Sequence, residues 1–163
     1  MGSDMKSLKN IRKSVGKAVR NSIVGYQDSK LLTAIRNFDD EVIRAEIARL
    51  SVREINAFGK DEDSAIVVAA SLGNVECVRL LLAKGVDPNL ANGYGETALH
   101  AAASAGQEAV IDKLLPLRRF DLQVDKQEGC RYETPLMKAA AAGHVSIVEK
   151  LVACWSEIRS NKF

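Results

Sequence analysis

His100 stands three residues after Thr97 and four after Glu96, inside the stretch NGYGETALHAAASAG at 92–106. An imidazole beside a hydroxyl and a carboxylate is raw material for acid–base or nucleophilic catalysis. The adjacent Gly-Tyr-Gly could be a backbone loop that cradles phosphate. The other groups with chemical potential are His144, the cysteines Cys77, Cys130 and Cys154, and the pair Arg118–Arg119 in LRRFD, a candidate clamp for phosphate or carboxylate. Each has a structural counter-reading. A threonine that opens a small-residue helix caps it, and a histidine one turn in can serve the fold. Two arginines closing a helix complement its macrodipole. No GxGxxG or Gly-Lys-Ser/Thr signature accompanies the glycine pair. The cysteines are odd in number and lack CxxC spacing, and nothing pairs the histidines at ligand spacing, so no disulfide framework, metal or cofactor is expected. The elements that carry these residues decide between the readings.

The chain has 163 residues, 47% hydrophobic, 27% charged and only 5% aromatic. That length supports one domain with its own core, and the alanine- and leucine-rich composition suits short close-packed helices better than a β-sandwich. A formal net charge of +2 is too small to imply a nucleic-acid partner. The longest strongly apolar run, AIVVAA at 65–70, falls far short of the ~20 residues that span a bilayer. With no apolar secretory core at the start, the expected setting is intracellular, first of all the cytoplasm, with reduced thiols.

Three stretches align: SAIVVAASLGNVECVRLLLAKG from Ser64, TALHAAASAGQEAVIDKLLPL from Thr97 and TPLMKAAAAGHVSIVEKLVAC from Thr134. Their starts lie 33 and 37 residues apart (97 − 64 and 134 − 97). In every copy Ala-Ala falls five and six residues after the start, and glycine falls nine after it, at Gly73, Gly106 and Gly143. The alanine pairs let a first helix approach its neighbour closely, and the glycine ends that helix where positive φ is tolerated. Val75, Val78, Leu81 and Leu82 then recur on one stripe of a second helix. GVDPN and NGYG are turn chemistry. One copy cannot cover its own apolar face, so copies must stack.

GETALHAAASAGQ, ETPLMKAAAAGH and LLLAKGVDPNLANGYG resemble the ankyrin repeat, strongly over residues 64 to 155. The resemblance implies an all-α solenoid of antiparallel helix pairs joined by β-hairpin loops. It divides residues 29–163 into a cap-like repeat (29–60) and three repeats (61–93, 94–130 and 131–163), after a basic segment at 1–28. The cap-like stretch lacks the Thr-Pro-Leu-His box, puts Asp39–Asp40 near the glycine position, and runs about three residues long before Ile55–Asn56. No polar repeat follows Trp155, so either the last helix is its own cap or the chain is a piece of something longer. Thr97 and His100 are then implied to tie a helix start to the neighbouring hairpin, with His144 and the Gly-Tyr-Gly equally structural. Cys77 is expected to be buried. Cys130 is expected in the second hairpin, which is expected to hold the four extra residues of the 37-residue interval.

The same resemblance implies recognition of another protein, a peptide or a helix, on a concave face, and no enzyme. Its first-helix candidates are Val68, Ser71, Leu72, Ala101, Ser104, Ala105 and Lys138, with Ala141 and Ala142. Its hairpin candidates are Leu90, Ala91, Asn92, Tyr94 and Glu96, then Lys126, Glu128, Arg131, Tyr132 and Glu133. A kinase-inhibitor-like four-repeat protein is an alternative of similar size, but such inhibitors have a shortened first helix in their second repeat, whereas SAIVVAASLG is full length. Residues 5–27, MKSLKNIRKSVGKAVRNSIVGYQ, hold six basic residues and no acidic one. On a helix, Leu8, Ile11, Val15, Ala18, Val19 and Ile23 share one face, opposite Lys6, Lys9, Lys13, Lys17 and Arg20. Four roles stay open for this basic amphipathic helix: packing on the first repeat, contact of residues 5–24 with an anionic membrane, capture by a partner groove, or organelle targeting.

Overall fold

A computed structural model describes residues 29–57, 62–120, 122–129 and 131–160; the basic segment and Cys130 lie outside them. First helices α1 (Lys30–Arg36), α4 (Ala65–Ser71), α6 (Ala98–Ala105) and α8 (Pro135–Ala141) form an inner layer. Second helices α2 (Asp40–Arg49), α5 (Val75–Lys84), α7 (Glu108–Leu114) and α9 (Val145–Ser160) form the outer one, and α3 (Val52–Ile55) follows α2. Each first helix packs on the next, α1 on α4, α4 on α6 and α6 on α8, and the second helices follow suit. The fold is therefore all-α, a solenoid of helix pairs.

The repeat is set by where first helices begin. Ser29, Ser64, Thr97 and Thr134 are the capping residues. Ser29 Oγ accepts from the Leu32 amide at 3.2 Å and Thr134 Oγ1 from the Met137 amide at 3.3 Å, satisfying donors that the helix cannot. Ser64 is the weak member: its buried Oγ has no hydrogen-bond partner among the described residues. Inside the stack, Ala69, Ala70, Ala102, Ala103 and Ala139 are all fully buried. Second helices contribute the larger apolar groups, Val78 and Leu81, then Val110, Ile111 and Leu114, then Ile147 and Leu151. The α5 stripe is as the spacing requires, with Val75 and Leu82 half-buried at its edges.

First and second helices are joined through Gly73, Gly106 and Gly143, all at positive φ (73°, 74° and 76°). In the cap-like repeat that position belongs to Phe38, nine residues after Ser29, which adopts φ 54° without being glycine. This corrects the expectation for Asp39–Asp40: Asp39 is the N-cap of α2, its Oδ1 accepting from the Val42 amide at 3.1 Å. The apparent overrun before Ile55 is the separate α3, started by a Ser51–Glu54 capping box.

The expected β-hairpins are reduced. Among the described residues there is no strand, only the antiparallel bridge Ala91–Thr97. Side chains shape these loops instead: Asn92 Oδ1 accepts from the amides of Tyr94 (3.0 Å) and Glu96 (2.9 Å), and Glu128 Oε1 from that of Arg131 (2.7 Å). Nor do the four extra residues all sit in the loop. The step from Asn74 to Gln107 is 33 residues and from Val86 to Leu122 is 36, so three are absorbed at the 3-10 helix Leu115–Phe120 that ends the second helix. Asn92 precedes Thr97 by five residues and Glu128 precedes Thr134 by six, which leaves one at the loop tip.

The glycine joints yield a test with an internal control. A Cβ on Gly106 would stand 2.7 Å from His144 Cε1, whereas on Gly143 it would meet nothing within 4 Å. His144 Nε2 lies 3.2 Å from the Ser104 carbonyl, to which it donates. Gly143→Ala is expected to cost about 1 kcal/mol, the left-handed strain alone. Gly106→Ala also displaces that inter-repeat bond and is expected to cost about 2–3 kcal/mol. Urea unfolding of both variants checks this, and equal costs would contradict the joint.

Candidate functional site

Positions four, seven and eight residues past each cap lie on one helical face, turned away from the second-helix layer. In the two central repeats these are Val68, Ser71 and Leu72, then Ala101, Ser104 and Ala105. Together they floor an open groove of ≈ 560 Å³. Val67 completes the floor, Asn92 and Glu96 stand on the loop side, and Arg36 and Asp63 close the cap end. The floor is shallow because its side chains are small: three of the six are alanine or serine in the α6 half. The Ser71 hydroxyl donates to the Val68 carbonyl at 2.9 Å, which leaves its oxygen as an acceptor.

Charge sits at the two ends and is paired. Arg36 reaches Asp63 at 2.7 Å. At the other end Lys138 donates to Glu96 and lies 3.8 Å from Glu133. Burial opposes the charge on Lys138, but the hydrogen bond it donates to Glu96 and the carboxylates of Glu96, Glu128 and Glu133 outweigh it and hold the ammonium above its ordinary pKa. The groove is thus apolar and small in the middle, with a salt bridge at each end.

The structure gathers Val68, Ser71, Leu72, Asn92, Glu96, Ala101, Ser104 and Ala105 into this groove, with Lys138 joined through Glu96. Ala141 and Ala142 are exposed further along the same face. Tyr94 and Tyr132 are exposed at loop tips, outside the groove lining. Leu90 packs against the core, and Lys126 braces the preceding loop by donating to the Asn89 carbonyl at 3.1 Å. Asn92 and Glu128 are buried as loop organisers, Ala91 forms the bridge to Thr97, and Arg131 is exposed. Arg36, Asp63 and Val67 escaped the sequence reading. Arg36 was within reach, because it stands seven residues past Ser29 as Ser71 does past Ser64.

The candidate chemistry resolves into architecture. His100 is fully buried, with Nδ1 3.3 Å from the Thr97 amide and 2.8 Å from its hydroxyl, and Nε2 3.1 Å from the Glu133 carbonyl. A carbonyl only accepts, so Nε2 carries the proton and Nδ1 accepts from Thr97. Both nitrogens are used in tying α6 to the next loop, and no substrate can reach them. Cys77 is buried and its thiol is pushed up to about 12 by that burial, which leaves it unreactive. The Arg118–Arg119 side chains lie outside the described residues, although their backbone belongs to the 3-10 helix. Among the described residues there is no cluster of three metal-ligating side chains, and no helix is long and apolar enough to cross a membrane.

Comparison with known proteins agrees with this geometry. Residues 66–115 match the family model described as ankyrin repeats (many copies), and residues 131–159 match the model of a single ankyrin repeat. The chain is 30% identical over 120 residues to human ankyrin repeat domain-containing protein 63, covering 71% of this chain and 31% of that one. It is 31% identical over 106 residues to the mouse inactive serine/threonine-protein kinase TEX14, covering 65% of this chain and 7% of that one. It is also 36% identical over 93 residues to ankyrin repeat, SAM and basic leucine zipper domain-containing protein 1 of Dasypus novemcinctus, covering 56% and 19%. The chain therefore spans a third or less of each of these relatives.

His100 carries a pH dependence. Burial, its largest influence, lowers its pKa below the ordinary imidazole value, against the hydrogen bond to Glu133. As pH falls, the unfolded chain therefore takes up this proton first. The stability it confers is fully present above the unfolded pKa of about 6.5 and is lost as pH falls from there toward the folded value. In urea titrations the wild type is expected to lose stability more steeply between pH 7 and pH 5 than His100→Gln, each against its own value at pH 7. Parallel profiles would contradict the buried neutral imidazole.

Proposed function

Because the chain belongs to the ankyrin repeat family, a family of protein–protein interaction modules, we propose that it works as an adaptor, tether or inhibitor that captures a partner segment in its concave groove, without catalysis. The observation that carries this reading is the groove itself: a floor of Val68, Leu72, Ala101 and Ala105 with a salt bridge at each end. Small floor residues let a partner's main chain come close, and Leu72 offers an apolar anchor. The end pairs Arg36–Asp63 and Glu96–Lys138 can exchange partners with charged side chains flanking an apolar centre. An extended peptide, or one face of a helix, of alternating apolar and charged character fits best. Near-neutral charge along the groove argues against nucleic acid. We place the protein in a reducing, intracellular compartment, which the buried thiols of Cys77 and Cys154 suit.

Peptides selected from a display library on the full chain test this reading. Filling the floor with Ser71→Trp and Ser104→Trp is expected to weaken them at least tenfold, about 1.4 kcal/mol, with the helical circular dichroism unchanged. Tyr94→Ala with Tyr132→Ala is expected to have a smaller effect, because those rings flank the groove. Undiminished affinity in the tryptophan variant would contradict recognition at this face.

A further inference from the structure

The carboxylates along the groove stand in a row. Asp63, Glu96 and Glu133 each immediately precede a first-helix cap, Ser64, Thr97 and Thr134. Their side chains are 25%, 27% and 31% exposed, so a docked chain can still reach them. Arg36 and Lys138, the cations that pair with them, belong to first helices, and Lys138 faces three carboxylates, those of Glu96, Glu128 and Glu133. The opposite side differs. Positions eight and nine past each cap carry no charge, from Asn37–Phe38 to Ala142–Gly143. The groove therefore has an acidic loop side, an apolar floor and an uncharged turn side.

The stacking of first helices, about 8–10 Å apart, sets the step along this row. A chain that matches it places cations about 10 Å apart beside an apolar stripe, over the about 25–30 Å from α1 to α8. The sequence of residues 5–24, which lie outside the described residues, has that pattern. Lys6, Lys13 and Arg20 recur every seven residues, which on a helix is about 10.5 Å. Leu8, Ile11, Val15 and Val19 form the apolar stripe. A helix over the whole segment would be about 30 Å long, the length of the groove face.

We propose that segment 5–24 docks as a helix in the concave groove of its own chain, with Arg20 toward Asp63, Lys13 toward Glu96 and Lys6 toward Glu133. This docking rests on the groove being the surface of recognition, as proposed above, and gives that surface a competitor within the chain. The connection fixes the direction. The five residues from 24 to Ser29 reach at most about 18 Å, enough to start the segment over α1 or α4 but not over α8. The long basic side chains lean from the helix to the edge of the groove while the apolar stripe meets its floor. A partner must displace the segment, so its apparent affinity falls by the fraction of time the groove stands open.

A labelled peptide of residues 5–24, titrated into the full chain by fluorescence anisotropy, tests it. Lys6→Glu with Lys13→Glu and Arg20→Glu disables the chain's own segment without touching the helix stack. That variant is expected to bind the peptide at least tenfold more tightly than the wild type, whose own segment competes. At tenfold the wild-type groove stands open about a tenth of the time, so selected peptides still bind it. Adding Ser71→Trp and Ser104→Trp is expected to remove most of the gain, with the helical circular dichroism unchanged. A charge-reversed chain that binds the peptide no better than the wild type, or binding that the tryptophans leave intact, would overturn the proposal. So would concentration-dependent sedimentation of the wild type that charge reversal abolishes, because the segment would then dock on a second copy. Binding of the peptide to anionic vesicles, with none to the charge-reversed chain, would assign it to a membrane instead. If library-selected peptides still lose affinity to the tryptophans in any of these cases, the groove stands and only its occupant falls.

Discussion

Contact between alanine-faced first helices governs this molecule. Ala69 and Ala70, Ala102 and Ala103, and Ala139 are buried without a branched side chain between neighbouring backbones. A larger group at any of them would force α4, α6 and α8 apart, and overpacking of that kind typically costs 1–3 kcal/mol. No helix pair in the chain can bury its own apolar face, so stability accumulates across joints. The groove is a by-product of the same closeness. When first helices touch through alanine, residues four, seven and eight past each cap merge into one surface.

The joints are reinforced by polar bonds that each occupy a repeat landmark. His100 connects α6 to the Glu133 carbonyl, and Gln107 Nε2 donates to the Ser71 carbonyl at 3.2 Å. His144 donates to the Ser104 carbonyl, one repeat further on. Gln107 and His144 satisfy carbonyls at the ends of first helices, where the helix leaves acceptors unpaired, whereas His100 reaches a loop carbonyl just before α8. His100, the residue that first suggests catalysis, is thus committed on both ring nitrogens to holding neighbours in register. A histidine needs a free nitrogen facing solvent or substrate to do chemistry, and His100 has none.

Much of this was legible in the sequence because it is periodic. The helix starts, the alanine pairs and the glycine joints recur at fixed offsets, and the ankyrin resemblance they carry implied eight of the groove residues, six on first helices and Asn92 and Glu96 on the loop. Legibility failed where a local force replaced the repeat rule. Phe38 takes a left-handed conformation usually left to glycine, so the cap-like repeat hides its register, and Arg36 was missed with it. The loops lack strands because Asn92 and Glu128 bond their own turn amides, which turn residues read by type do not reveal. The 37-residue interval could not say where its extra residues go. The 3-10 helix takes three of them because Pro116 gives no backbone donor for a continuing α-helix.

What recognition requires of this scaffold is a rigid floor and a changeable rim. Val68, Leu72, Ala101 and Ala105 sit on helices fixed on both sides, whereas Tyr94 and Tyr132 stand on loop tips. Partner choice can therefore be tuned by loop residues without disturbing the stack, which is how helix-pair solenoids separate stability from specificity. Hydrogen exchange of the full chain, with and without a peptide selected to bind it, tests this most directly. Slowed exchange confined to residues 68–72, 92–96 and 101–105 is the predicted result. Slowed exchange on α5 and α7, with those stretches unchanged, would contradict the groove as the site of recognition.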